Sequence, residues 1–178
     1  MAKKNTTLSL VLVALFTALT IVGTMIKIPL PTGAFVHLGN AVLLLAVLLL
    51  GYTRGALAGG LGFAIFDLMN GFAAEAPYFI IESFIVGGAA AIAMMAFHNN
   101  IDNIKKLMTV AIVTGIAKII MTQLKNTALA LFAGSSFQLA FSSALSMLLA
   151  TVLNVTITII FVSLVYFPLK KAMTTIFR

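Results

Sequence analysis

Two lysines, Lys118 and Lys125, interrupt the apolar run AKIIMTQLKNTALALF at residues 117–132. With Thr122 they stand at i, i+4 and i+7, so they share one stripe of a helix. A lysine at the centre of a bilayer costs roughly 3 kcal/mol on insertion scales, so this stripe needs counter-charges or a wet cavity. Gln123 and Asn126 flank it and widen the polar face. A second stripe, Glu75, Tyr78 and Glu82, follows i, i+3, i+7 spacing. Asp67, Asn70, Asn154, His37 and Asn40 complete the set of polar groups within apolar surroundings. Ammonium, carboxylate, amide and imidazole groups of this kind can orient a small polar ligand or carry a proton. They do not suggest a metal centre, because the chain has two histidines and no cysteine. There is no Walker motif, nucleophile elbow or Gly-rich phosphate loop. The chain therefore reads as a non-enzyme that needs no cofactor, and any uphill transport must draw on ions or on another subunit.

These groups need helices in lipid to position them. The 178 residues are 62% hydrophobic and 8% charged, with a mean hydropathy of +1.17. Soluble domains carry about 25% charged residues, so lipid must solvate most of this surface. The net charge of +7 does not indicate nucleic acid, because the basic residues sit at segment ends rather than in one patch. Six apolar segments predict an all-α integral membrane protein with one six-helix domain over residues 1–178. The predicted helices are 6–26, 34–51, 55–72, 76–97, 107–132 and 137–167. Lys3, Lys4, Arg54, Lys105, Lys106, Lys170, Lys171 and Arg178 fall on one side and Lys27 alone on the other. The excess of Lys and Arg places both termini in the cytoplasm. The first outer connection, KIPLPTG at 27–33, is stiffened by Pro29 and Pro31.

At about 1.5 Å per residue, Lys118 lies ~17 Å from the inner end of its helix and Lys125 about 10 Å further out. Asp67, Asn70, Glu82, His37 and Asn40 fall in the outer half, and Asn154 near the middle. This bias predicts an outward-open cavity between the last three helices, closed above by the Pro-rich loop, with Glu82 as partner of Lys125. Other roles stand beside it. Lys125 can snorkel to headgroups, Glu75 can be a solvated loop charge, and Asn154 can be an interhelical hydrogen bond. Lys118 is pocket floor, buried ion pair or subunit contact.

Small residues carry a further signal. Ala14 and Ala18 stand four apart in the first segment, and Gly55, Gly59, Gly60 and Gly62 cluster in the third. Small-xxx-small faces let helices approach closely in lipid. The glycine face suits packing within the chain, whereas the alanine face suits packing within the chain or against another protein.

The block FVHLGNAVLLLAVLLLGYTRGALAGGLGFAIFDLMNGFAAEAPYFIIESFIVGG, residues 35–88, resembles the S-components of energy-coupling factor (ECF) vitamin transporters. It is similar to the branch assigned to hydroxymethylpyrimidine and pyridoxine, whose members are sometimes labelled riboflavin-type. The features that carry the resemblance are Gly39-Asn40, the run from Gly55 to Asp67, and Pro77-Tyr78. The resemblance implies a substrate-capture subunit in the plasma membrane of a prokaryote. It also implies a vitamin pocket built from the first outer loop and helices 4 to 6. Docking on a membrane scaffold (T) subunit through Ala14 and Ala18, with two cytoplasmic ATPases, is likewise implied. The expected substrate-binding residues are His37, Asn40, Tyr78, Glu82, Lys125, Asn126 and Asn154, with stacking from Tyr78, Phe79 or Phe35. The expected ligand is hydroxymethylpyrimidine or pyridoxine, with pantothenate and riboflavin as alternatives. A different class, a stand-alone ion-coupled transporter using Lys118, Asp67 or Glu82, is equally free of ATP motifs.

Overall fold

The computed structural model describes residues 6–30 and 35–176. Lys3, Lys4, Pro31 and Arg178 lie outside the described residues. The chain is an all-α membrane protein with one small hairpin. Helix α1 (Thr6–Met25) leads into strands β1 (Lys27–Pro29) and β2 (Phe35–His37), then α2 (Gly39–Leu50), α3 (Tyr52–Met69) and α4 (Ala76–Met95). Then come α5 (Ile104–Phe132), α6 (Phe137–Ser146) and α7 (Leu148–Ile176). Among the described residues, α1, the stretch 73–95, α5 and the stretch 148–175 are long and apolar enough to cross a membrane.

The structure departs from the predicted elements in three places. Residues 35–37 pair with β1 in antiparallel register, Lys27 opposite His37, instead of opening the second helix. Helix α2 begins only at Gly39 and has 12 residues, about 18 Å of rise. The predicted last helix breaks at Met147 into α6 and α7. Helix α7 then runs past the predicted end, carrying Pro168 inside it. Near that end the Lys170 ammonium donates to the Ile101 carbonyl at 2.8 Å. This bond ties α7 to the connection between α4 and α5.

Helix α2 is apolar on every side, and residues 41–48 are all buried. Such a helix belongs at the centre of a bundle. Helix α3 packs against α1, α2 and α4, and its glycines make that possible. A Cβ on Gly55 would collide with the Val47 backbone, one on Gly59 with Leu43, and one on Gly62 with Thr20. The glycine cluster is therefore a packing face within the chain. On α1, Phe16, Thr17, Thr20, Gly23 and Thr24 face inward. The inward threonine hydroxyls donate to carbonyls four residues back, Thr17 to Val13, Thr20 to Phe16 and Thr24 to Thr20. No hydroxyl on this face is left unpaired. Ala14 and Ala18 lie on the opposite, exposed face among Leu10, Val11, Leu15, Leu19 and Val22.

Gly55→Ala forces backbone apart between α2 and α3. Overpacking of this kind costs ~1–3 kcal/mol. A lowered unfolding temperature in detergent, followed by size-exclusion of the heated protein, is the expected outcome; an unchanged temperature would show that the contact can relax.

Candidate functional site

A cavity of about 530 Å³ opens among the hairpin and the helix ends. Its walls come from α1 (Thr24), β2 (Phe35, His37), α2 (Asn40), α3 (Phe63, Phe66, Asp67), α4 (Tyr78, Phe79, Glu82), α5 (Lys118, Thr122, Lys125, Asn126) and α7 (Thr151, Asn154). It thus draws on more elements than the last three helices and the outer loop. Its volume falls in the usual range for small-molecule sites, roughly 300–1,000 Å³.

One wall is a continuous arc of rings. Successive centroids run Phe66–Phe35 at 6.3 Å, Phe35–His37 at 5.6 Å, His37–Phe63 at 6.0 Å, Phe63–Phe79 at 5.8 Å and Phe79–Tyr78 at 5.2 Å. These separations suit edge and offset packing. Phe63, Phe66 and Phe72 were not among the residues expected from sequence. Phe63, Phe66 and Asp67 stand at i, i+3 and i+4, a shared helical face that carries this signal.

The charges pair differently from expectation. Glu82 binds Lys118, at 2.5 Å, and not Lys125. Lys125 pairs with Glu75 instead, so Glu75, still partly exposed in its short connection, is also an ion-pair partner at the cavity rim. The rise of the helix explains the swap: Lys118 and Glu82 both lie deep, while Lys125 and Glu75 lie near the rim. Side-chain exposure follows the same order, 14% and 4% for the deep pair and 20% and 42% for the rim pair. The Tyr78 hydroxyl donates to Glu82 Oε1 at 2.7 Å and lies 3.1 Å from the Met121 carbonyl. Each oxygen of the buried Glu82 is thereby engaged. The Lys118 ammonium also sits 5.3 Å from the Phe79 ring centre, and that of Lys125 5.1 Å from both Tyr78 and Phe79. Gln123 points elsewhere: its amide donates to Thr127 and to the Phe141 carbonyl, joining α5 to α6.

Asn154 acts as a side-chain partner for the strand. Its Oδ1 accepts from the His37 N–H at 2.9 Å, and its Nδ2 donates to the carbonyls of Phe35 and Ala150, both at 3.0 Å. It holds the hairpin against α7 as an added strand would. His37 Nδ1 accepts from the Gly39 N–H at 3.1 Å, which leaves the ring proton on Nε2. The amides of Asn40 and Asn126 line the cavity and have no hydrogen-bond partner among the described residues. The seven residues expected to bind substrate all line this cavity, with different amounts of free hydrogen-bonding capacity. That of Tyr78, Glu82, Lys125 and Asn154 is largely engaged by protein, while Asn40, Asn126 and His37 Nε2 have no partner among the described residues. Among the described residues no cluster of three or more His, Cys, Asp or Glu could hold a metal ion.

A family model described as the ECF-type riboflavin transporter, S component, matches residues 4–174. The chain belongs to this family. No curated protein matches the chain. As an S component it is a transporter subunit that captures a vitamin, and its family is not one of enzymes. The assignment rests on nearly the whole length, beyond the 35–88 block that carried the resemblance.

Removing one partner of a buried pair leaves an uncompensated charge and costs ~3–5 kcal/mol, whereas a rim pair contributes below about 1 kcal/mol. Glu82→Gln is therefore expected to lower the unfolding temperature of the S component strongly, and Glu75→Gln only slightly. The double change Glu82→Gln with Lys118→Met should recover much of the loss. Equal effects of the two single changes would contradict the assigned depths.

Proposed function

We propose that this S component captures a small, uncharged or zwitterionic heteroaromatic vitamin or precursor, with hydroxymethylpyrimidine and pyridoxine favoured. The observation that carries this reading is the pairing of both cavity lysines by carboxylates beside an aromatic arc. An anionic ligand such as pantothenate needs a free cation, and Glu82 and Glu75 already neutralise Lys118 and Lys125. A flat ring offered to Phe35, Phe79 and Tyr78 gains stacking. Asn40, Asn126 and His37 Nε2–H can then read its edge, while Tyr78, Glu82 and Lys125 form the polar floor and rim. Asn154 contributes by holding the hairpin in place. Riboflavin, also uncharged and named in the family description, is the competing ligand.

In this reading the chain crosses the plasma membrane of a prokaryote six times with both termini in the cytoplasm. Six crossings require α3, and α2 together with the hairpin, to cross beside the four long apolar spans. The exposed face of α1 around Ala14 and Ala18 docks on a membrane scaffold subunit, and two cytoplasmic ATPases supply the energy. The family match supports this over a stand-alone ion-coupled carrier using Lys118, Asp67 or Glu82, since the lack of ATP motifs suits both.

Mass spectrometry of ligand copurified from detergent tests the substrate, with titration of hydroxymethylpyrimidine, pyridoxine, riboflavin and pantothenate. Tightest binding by either of the first two is expected; tightest binding by pantothenate would overturn the charge argument. Docking has its own test. Ala14→Trp should abolish cellular uptake while leaving the dissociation constant unchanged within about twofold. Uptake that survives loss of the ATPases and collapses with an uncoupler would favour the ion-coupled carrier.

A further inference from the structure

The lining of the cavity holds three carboxylates, Asp67, Glu75 and Glu82, against two ammonium groups, Lys118 and Lys125. Both lysines are taken, by Glu82 and by Glu75. Asp67 is left over. It is 5% exposed, and its Oδ2 is enclosed with no hydrogen-bond partner among the described residues. Lys27, the nearby basic residue of the hairpin, is exposed. Its ammonium rests over the rings of Phe35 and Phe66 at 4.9 and 5.5 Å from their centres, outside the cavity lining. Buried polar groups are nearly always hydrogen-bonded, and an orphan needs an explanation. Here the fold does not demand the carboxylate. Helix α3 is closed after it by backbone bonds, from the N–H groups of Asn70 and Phe72 to the Asp67 carbonyl. The side chain has no part in them.

We propose that Asp67 is the specificity-determining residue of the pocket: its free carboxylate oxygen accepts a hydrogen bond from a ring-bound N–H of the ligand, an exocyclic amino group or a protonated ring nitrogen. The proposal rests on the reading of the ligand as a small heteroaromatic molecule. The geometry supports it from the neighbouring side chains. Phe63 and Phe66 stand on the same face of α3 as Asp67 and line the same cavity. A ring lying along the aromatic arc therefore presents its edge, where donors are carried, to this carboxylate. A ligand with only acceptors at that edge would leave Oδ2 desolvated and unpaired, the situation in which polar sites reject analogues most strongly.

The test compares two ligands and two proteins. The ligands are the 4-amino form of hydroxymethylpyrimidine and the analogue with that amino group replaced by hydrogen. The proteins are the wild-type S component and Asp67→Asn, each shown to be monodisperse in detergent. Wild type is expected to bind the amino ligand at least about tenfold more tightly than the analogue, as for a hydrogen bond to a charged group. Asp67→Asn should lose most of that preference while binding the analogue as wild type does. Equal binding of both ligands by wild type overturns the role of Asp67 without any variant. An equal loss for both ligands in Asp67→Asn also overturns it, since that is the signature of a structural role. If wild type binds neither ligand but binds another class in the titration, the substrate reading and the Asp67 assignment fall together. The first two failures leave the substrate reading standing.

Discussion

The pairing of Lys118 with Glu82 at depth is the constraint on which the rest of the site depends. Neither charge is tolerable alone in a low-dielectric interior, so α4 and α5 must hold these two positions in register. Tyr78 reinforces the arrangement by occupying the second oxygen of Glu82. The rim pair, Lys125 with Glu75, then follows from the same register one helical stretch further along. Each cavity ammonium is thus matched by a carboxylate. Among the described residues, the cavity groups left without a hydrogen-bond partner are Asn40, Asn126, His37 Nε2 and Asp67 Oδ2.

The cavity exists because one central element is short. A hydrocarbon layer is about 30 Å thick, which takes about 20 helical residues. Helix α2 supplies 12. Its flanking helices α1 and α4 supply 20 each, so space remains beyond the α2 N-terminus. The hairpin strand β2 enters that space and lines one side of it, held by Asn154. Exposed backbone at such a depth is permissible only where it is buried in protein or lines a cavity. The bonds from Asn154 to the backbone of residues 35 and 37 meet this requirement. Close packing of α3 on α2 through Gly55 and Gly59 keeps the remainder of the bundle tight, so the void stays at one end.

Much of this was readable from the sequence because burial in lipid makes polar residues conspicuous. Lys118, Thr122 and Lys125 could be placed on one stripe from spacing alone, and all three line the cavity. The membrane class followed from composition. Pairing was not readable: Glu82 is within reach of either lysine in sequence terms, and only the relative shift of α4 against α5 decides between them. The hairpin was hidden because Phe35, Val36 and Leu38 lead towards the apolar run of α2, and the polar residues between, His37 and Asn40, are equally compatible with the opening of a helix. Phe63 and Phe66 were hidden for a related reason. An aromatic residue among apolar neighbours looks the same whether it faces lipid, core or cavity. Glu75 sits in a short connection, where a charge ordinarily meets solvent, and only the three-dimensional position of Lys125 reveals its partner.

Helix α1 joins the pocket to the surface proposed to dock. Its last inward residues reach the cavity: Thr24 lines it, and the Gly23 carbonyl accepts from the Leu38 N–H at 2.8 Å, one residue past His37. Its opposite face carries Ala14 and Ala18 among exposed aliphatic side chains. The two faces belong to one rigid element, since the inward hydroxyls bond only to the helix itself and add no separate anchor. One helix end thus contributes a cavity wall through Thr24 and seats the start of α2 through the Gly23 carbonyl, so the placement of α1 and the shape of the cavity mouth depend on each other.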